Sequence, residues 1–328
     1  MLRLQNLTIE PNSQAFDHNF ESKKTTVVLG QNNSGKTNLL RFIAGLSTPA
    51  QGTLFLEAKD ITFTKPQQRP VALVVQNFVN YPNWSVEQNI LSPLRGKKIS
   101  KLDQKKRAHE LAETLGLEGL LSRLPSELSG GQQQRLAIAR ALAQDASVLL
   151  LDEPFVNLDY KLREAITLEL RDLLKTNETT VIYATSNPRD AFAMGDEILL
   201  LNNRTKLQGG AILPVYLSPE TIEAADLMSD PQTNIVNFHD KQKQTDPVCA
   251  VRPEHVYLES EASSGEIKNF GFRISGSETS GDETILHGSV QDRAWVIRRP
   301  GMIDIPNREI LKVFVHKCDL LDFPPKHQ

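Results

Sequence analysis

The chain has 328 residues, of which 39% are hydrophobic and 23% charged; this is an ordinary globular composition and excludes a disordered or collagenous chain. Its length exceeds that of a common domain and predicts two domains. Thirty-seven Lys and Arg residues against 40 Asp and Glu residues give a formal net charge of -3, which argues against a nucleic-acid partner.

The cysteine content indicates a reducing compartment, and the hydropathy indicates neither a signal peptide nor a membrane-spanning helix. Two cysteines, Cys249 and Cys318, are too few for a disulfide framework, and both are expected to be buried thiols. The first residues alternate like a β-strand and lack the apolar block of a signal peptide. No window approaches the roughly 18 to 20 apolar residues of a membrane helix. We therefore expect a cytoplasmic protein that reaches a membrane only by docking on a partner.

The first two thirds of the chain alternate strands with helices. The apolar run Thr25–Leu29 predicts a buried strand that stops at Gly30, and the apolar spacing beyond it predicts a helix that ends near Gly45. Further strands are predicted at residues 71–75, 148–151 and 180–184, and further helices near residues 85–88, 108–115, 129–143 and 162–174. This alternation predicts a mainly parallel sheet covered on both faces.

The last third of the chain has a different sequence pattern. Short strands separated by Gly, Ser, Asp and Pro are predicted at residues 256–258, 270–274, 284–290, 295–297 and 311–315. This pattern predicts a small β-barrel domain over residues 236–328, which follows an α/β domain over residues 1–235. The polar residues 238–245 are expected to form an exposed connection.

The loop after the first buried strand matches the pattern G-x-x-x-x-G-K-[ST], which binds nucleotide phosphates. Backbone N–H groups of such a loop surround the β-phosphate, Lys36 reaches the β- and γ-phosphates, and the Thr37 hydroxyl binds Mg²⁺. A chance match is the alternative, and the flanking strand and helix argue against it. The predicted ATP-binding residues are Gly30, Gln31, Asn32, Asn33, Ser34, Gly35, Lys36, Thr37 and Asn38.

Two carboxylates end the apolar strand at residues 148–151, at the sheet edge where open α/β sheets bind ligands. Asp152 is expected to hold Mg²⁺, and Glu153 to polarise the water that attacks the γ-phosphate. A helix cap and a solvated charge are the alternative. The glycine loop favours the catalytic interpretation.

A second phosphate-binding loop is predicted between these motifs. Its serine hydroxyl, two glycines and following helix can hold phosphate, although a simple N-cap would look the same. One nucleotide does not need two such loops within one chain, so the pattern predicts two ATPase domains that meet head to tail. The loop consists of Leu128, Ser129, Gly130, Gly131 and Gln132.

Together these motifs resemble the Walker A, signature and Walker B segments of ATP-binding cassette (ABC) proteins. Gln76 matches the Q-loop, and the D-loop is matched by Asn157, Leu158 and Asp159. The resemblance covers about residues 1–235 and implies a P-loop domain with a RecA-like core, an antiparallel edge sheet and a helical subdomain. It also implies that Gln76 senses the γ-phosphate and binds Mg²⁺, and that Asp159 lies at the contact between two cassettes.

The last third of the chain narrows the resemblance. Residues 251–256 and 276–279 resemble the C-terminal OB-like transport-associated domain of carbohydrate importer ATPases, and residues 76–82 and 182–188 resemble the glycerol and sugar-alcohol branch. The resemblance implies an ATPase on the cytoplasmic face of the membrane, with permease subunits as partners and a solute-binding protein as an indirect one. Phe78, Tyr81 and Trp84 are equally compatible with permease docking and with ordinary packing.

The sequence departs from the family pattern at two positions. Members usually carry a histidine where Ser186 stands, and Ser186 can offer a hydrogen bond to the γ-phosphate but no positive charge. We expect this chain to hydrolyse ATP weakly and to complete the site of a different ATPase through its intact signature; a homodimer is the alternative. The aromatic ring that stacks on adenine is also missing near Pro11, where Phe16 is either a substitute or a core residue.

Two other functions stay open. A soluble cassette without a permease would act on nucleic acid or translation, but no basic run or long heptad pattern supports it. A regulatory cassette would bind ATP and scarcely hydrolyse it, yet the presence of Glu153 favours hydrolysis.

Overall fold

In the computed structural model, the chain divides into two compact units, Met1–Ile212 and Leu213–Gln328. The structure describes residues 1–11, 13–95, 97, 99–155, 160–176, 179–236, 248–258, 267–303 and 310–323. The division falls before the boundary that we predict at residue 235, because residues 213–235 belong with the second unit. Ala225 there shares a small apolar cluster with Ala250 and Phe323. The connection predicted at residues 238–245 lies outside the described residues.

The elements of the first unit agree closely with the predicted alternation. In chain order they are β1 (Leu2–Thr8), β2 (Phe16–Phe20), β3 (Thr25–Leu29), α1 (Lys36–Ile43), β4 (Gln51–Leu56), β5 (Lys59–Asp60), β6 (Val71–Val74), α2 (Val86–Leu91), α3 (Lys101–Thr114), α4 (Gly130–Ala143), β7 (Val148–Asp152), α5 (Tyr160–Thr176), β8 (Thr180–Thr185), α6 (Pro188–Met194), β9 (Glu197–Asn202) and β10 (Thr205–Ala211). Helix α7 (Ile212–Leu217) begins at the boundary between the units.

A six-stranded sheet carries the phosphate loop and the acidic strand end of this unit. Its strand order is β10-β9-β3-β8-β7-β6, and all neighbours are parallel except β10, which is antiparallel to β9. Every residue of β3, β7 and β8 is buried, which explains their continuous apolar runs. The carboxyl ends of the parallel strands therefore meet at one edge.

A second, antiparallel sheet of order β2-β1-β4-β5 packs against the first. Sequence reading missed β2, β4 and β5, and also β9 and β10 of the first sheet. Strand β4 is partly exposed and both residues of β5 are exposed, so neither has a continuous apolar run. Phe16 on β2 is buried in the shared core with Leu7. Of its two interpretations, the structure supports the core residue.

The remaining elements form the second unit. They are α8 (Ile222–Leu227), β11 (Asn234–Val236), β12 (Val248–Val251), β13 (Tyr257–Leu258), β14 (Ile267–Thr279), β15 (Glu283–Val290), β16 (Arg293–Pro300), β17 (Ile310–His316) and β18 (Leu320–Phe323).

Two antiparallel sheets, ordered β11-β12-β18 and β13-β17-β14-β15-β16, share one apolar core in this unit. Trp295 is buried in that core, and its indole N–H donates to the carbonyl of Ile235 at 3.1 Å. Cys249 is buried as expected, but Cys318 is exposed, so its prediction as a buried thiol is wrong. Cys318 lies in the short turn before β18, where its neighbours are polar.

Candidate active site

The phosphate loop connects β3 to α1. Gly35 has a φ of 102°, which glycine adopts without strain, and a side chain at Gly30 would lie 2.4 Å from the carbonyl oxygen of Leu201. Lys36 opens α1 and is only 4% exposed. Its ammonium donates to the carbonyls of Gly30 at 2.8 Å and Gln31 at 2.9 Å. The loop thus curls around the lysine head group, the position that a phosphate-binding lysine requires.

Two carboxylates from the end of β7 face this loop. The Thr37 hydroxyl donates to Oδ1 of Asp152 at 3.1 Å, and Lys36 Nζ lies 3.2 Å from Oε1 of Glu153. Glu153 has a φ of 46°, a conformation that costs free energy in a residue other than glycine. Its backbone N–H donates to the carbonyl of Ala184 on β8 at 2.9 Å, which holds the residue at the sheet edge.

Burial dominates the electrostatics of Asp152. Loss of solvent raises its pKa, while the Thr37 hydrogen bond and the charge of Lys36 oppose the rise. A bound cation stabilises a carboxylate that is shielded from water, because the cation offsets the free-energy cost of burying the negative charge.

The donor set fits magnesium. The described residues contain no cluster of three His, Cys, Asp or Glu side chains that could bind a metal on their own. Mg²⁺, however, prefers oxygen ligands and is commonly held by one or two protein groups together with substrate phosphates. The Thr37 hydroxyl and the Asp152 carboxylate are adjacent oxygen ligands of that kind. Gln76 follows β6 at the same sheet edge and can supply an amide oxygen.

Lys36, Thr37, Gln76 and Glu153 line one cavity of about 550 Å³. The structure brings together residues from the ends of four strands, because the carboxyl ends of β3, β6, β7 and β8 are neighbours in the sheet. Its lining residues are Asn32, Asn33, Gly35, Lys36, Thr37, Asn38, Gln76, Glu153, Ser186 and Arg204.

Ser186 lies where the sequence pattern places it, directly after β8. The segment is held by Asp190, which accepts hydrogen bonds from the Thr185 hydroxyl at 2.6 Å and the Tyr183 hydroxyl at 3.2 Å and pairs with Arg163 of α5. The Asn187 N–H in turn donates to the Thr185 hydroxyl at 3.1 Å. No histidine is among the described residues that line the cavity, so Ser186 is the group that faces it from this strand.

The signature residues lie apart from the cavity, at the start of α4. Ser129 caps this helix: its hydroxyl accepts from the Gln132 N–H at 3.3 Å, and the Gln132 side chain accepts from the Ser129 N–H at 2.9 Å. Ser129 and Gly130 are exposed. The loop is therefore open to a second molecule. The D-loop residues Asn157, Leu158 and Asp159 lie outside the described residues.

Sequence reading missed Arg204 as a residue of the cavity. It occupies the tight turn between β9 and β10, where Asn203 and Arg204 have φ values of 47° and 63°. The available signal was a basic residue in a polar turn between two strands, at a sheet edge already rich in predicted site residues.

The glycine loop, the acidic strand end and the mixed sheet define a P-loop ATPase of the ATP-binding cassette class. The family model described as ABC transporter matches residues 14–156. The chain belongs to the family of ABC transporter ATP-binding proteins, as the sequence motifs predict, and it is an ATP-binding ATPase.

Relatives and a solved structure support the same family. The chain is 32% identical over 297 residues to the sn-glycerol-3-phosphate import ATP-binding protein UgpC of Salmonella paratyphi A, which covers 83% of this chain and 82% of that protein. UgpC of Cereibacter sphaeroides is 32% identical over 303 residues, covering 88% and 86%. The dimeric structure of a post-hydrolysis state of the cassette MJ0796, bound to ADP and Pi, is 27% identical with a TM-score of 0.56 and covers 64% of this chain and 98% of that one.

Among the described helices, none has the length and apolar character needed to cross a membrane.

Proposed function

We propose that the chain hydrolyses ATP to drive the import of sn-glycerol-3-phosphate or a related glycerol, sugar-alcohol or sugar solute. One observation carries the proposal: the cavity that joins Lys36, Glu153 and Gln76 belongs to a chain whose similarity to UgpC extends over both units. Because the solute does not contact an ATPase subunit, its identity rests on the similarity alone.

The geometry supports in-line hydrolysis. Lys36 is already poised between the loop and Glu153, and bound ATP would offer it the β- and γ-phosphates instead. Glu153 then accepts a proton from water, whose oxygen forms a bond to the γ-phosphorus as the bond to the bridging oxygen breaks. The products are ADP and phosphate. Mg²⁺, held by Thr37 and Asp152, would neutralise charge on the phosphates.

An exposed aromatic surface beside the Q-loop supports docking on permease subunits at the cytoplasmic face of the membrane. Val79 is 67% and Tyr81 45% exposed. The Tyr81 and Trp84 rings lie 4.5 Å apart, and Arg95 and Arg140 stack on their faces. An exposed aromatic ring such as Tyr81, beside apolar and arginine side chains, is typical of protein interfaces. A solute-binding protein would act on the permease from the other side.

The second unit is assigned as the OB-like transport-associated domain, and the assignment rests on its two antiparallel sheets and on the resemblance of residues 251–256 and 276–279. In this proposal it extends the contact between two cassettes or receives a regulatory signal.

We infer from Ser186 that the partner cassette is a different ATPase with a complete site. The exposed signature of this chain would finish that partner site, while its own cavity turns ATP over slowly. The relatives compared name no second ATPase, so this pairing is supported by Ser186 alone, and a dimer of two identical chains is the competing arrangement.

Deletion of the gene in its own organism tests the transport function. Uptake of labelled sn-glycerol-3-phosphate, glycerol and maltose is measured, and the gene is restored as wild type or as Glu153→Gln. We expect glycerol-3-phosphate uptake to be lost, to return with wild type and to stay absent with Glu153→Gln. Loss of only another solute would overturn the solute assignment, and unchanged uptake of all solutes would favour a cassette without a permease.

A further inference from the structure

The order of strands gives the nucleotide a direction in the cavity. Glu153, Ser186 and Gln76 follow β7, β8 and β6, which all lie on one side of the phosphate-loop strand β3. In the proposed mechanism, these residues face the γ-phosphate. The strand on the other side of β3 is β9, and its carboxyl end leads into the turn that carries Arg204. With that placement, the nucleoside end of ATP points toward Arg204.

Arg204 is fixed firmly against the phosphate loop. Its backbone N–H donates to the carbonyl of Ser34 at 2.9 Å, and a side chain at Gly35 would lie 3.3 Å from the Cα and Cγ of Arg204. Its Nε lies 2.7 Å from a carboxylate oxygen of Glu10. Glu10 also accepts from the Asn38 side chain at 3.1 Å, which ties the pair to the first helix turn.

Arg204 lines the cavity from a residue with a positive φ. At a φ of 63°, a glycine would be favoured, and an arginine there costs free energy. Arg204 nevertheless lines the cavity and is about half-exposed, so its planar cation is available to a ligand. No aromatic ring is among the described residues that line the cavity, and Phe16 is buried in the core. A nucleotide base therefore meets no ring there on which to stack.

We propose that the guanidinium of Arg204, held by Glu10, forms the nucleoside-binding surface of this ATPase and stacks on the base of ATP. A guanidinium is planar and weakly hydrated, which suits it to stacking on the π face of a base. The ion pair with Glu10 fixes the plane before the nucleotide arrives, so less side-chain freedom is lost on binding. The inference rests on the ATP-binding function of the cavity and adds the residue that recognises the nucleoside.

Calorimetric binding of MgATP and of magnesium tripolyphosphate to the full chain tests the proposal, because tripolyphosphate has no nucleoside. The variants are Arg204→Gly, which suits the backbone conformation, and Arg204→Lys, which keeps the charge and loses the plane. We expect both to weaken MgATP binding about tenfold and to leave tripolyphosphate binding within about twofold of wild type. Lys206→Ala, in the same hairpin, is the matched control and should change neither affinity.

Three results would overturn the proposal. MgATP affinity unchanged in Arg204→Gly would show that the side chain does not contact the nucleoside. Equal weakening of both ligands would show that Arg204 acts on the phosphates or on the loop. Full MgATP affinity in Arg204→Lys would show that charge, not stacking, is what matters. The Lys36→Ala variant distinguishes failure of this proposal from failure of the phosphate-loop assignment. Normal binding of both ligands in that variant would contradict the phosphate-loop assignment.

Discussion

At the residue scale, the cavity keeps side chains in positions that cost stability. Asp152 is nearly fully buried with a raised pKa, and Glu153 adopts a positive φ. Both conditions are unfavourable in the absence of ligand, and Mg²⁺ bound with the nucleotide would relieve the first by bringing positive charge to Asp152. The site is thus organised for its ligand at the expense of local stability, which is common at functional sites.

His18 makes the stability of the first unit depend on pH. It is buried on β2 with its ring edge toward Phe20, and its Nε2 has no hydrogen-bond partner among the described residues. Burial, followed by the charge of Lys206, lowers its pKa from 6.5 to about 4. The folded state therefore binds fewer protons than the unfolded state between these values, so stability is lost as the pH falls from about 6.5 toward 4.

The His18→Phe variant should remove this loss. Because a phenyl ring takes no proton, the variant should gain about 2 kcal/mol in unfolding free energy relative to wild type between pH 7 and pH 4.5. Urea unfolding at the two pH values measures the difference. If the difference in unfolding free energy between His18→Phe and wild type were the same at pH 7 and pH 4.5, the assignment of a buried neutral histidine would be contradicted.

At the element scale, two helices begin with the same device and serve different purposes. Ser85 caps α2 by accepting from the Gln88 N–H at 3.2 Å, with the Gln88 side chain reaching back to the Ser85 N–H. Ser129 and Gln132 repeat this arrangement at α4. A cap alone therefore does not distinguish the signature loop from an ordinary helix start.

Substitution by aspartate separates the two roles. Ser129→Asp and Ser85→Asp both keep a capping oxygen and a favourable charge at a helix N-terminus, so neither should move the thermal midpoint by more than about 2 °C. Ser129→Asp also sets a negative charge against the phosphates of a partner-bound ATP. We expect it to reduce ATPase turnover of the membrane-purified complex by at least about tenfold, while Ser85→Asp leaves turnover unchanged. Equal turnover in both variants would show that Ser129 acts only as a helix cap.

At the scale of the whole molecule, sequence patterns predicted most strands of the parallel sheet and most of the residues that line the cavity. Buried strands such as β3 and β7 are continuous apolar runs, and the glycine loop has a strict spacing, so both are local signals. Arg204 and Glu10 are distant in sequence: Arg204 follows β9 of the parallel sheet, and Glu10 follows β1 of the antiparallel sheet that packs against it. The grouping of residues 213–235 with the second unit depends on a packing contact in the same way. Local sequence patterns do not indicate which residues that are distant in sequence come into contact.

We propose that Ser186 limits hydrolysis at this ATP site. ATPase turnover of the purified chain alone, wild type beside Ser186→His and over a range of protein concentrations, tests it most directly. A histidine can add positive charge beside the γ-phosphate, so we predict slow turnover by wild type and an increase of about 10- to 100-fold in Ser186→His. Fast, cooperative turnover by wild type that Ser186→His does not improve would contradict the claim and identify a self-sufficient homodimer.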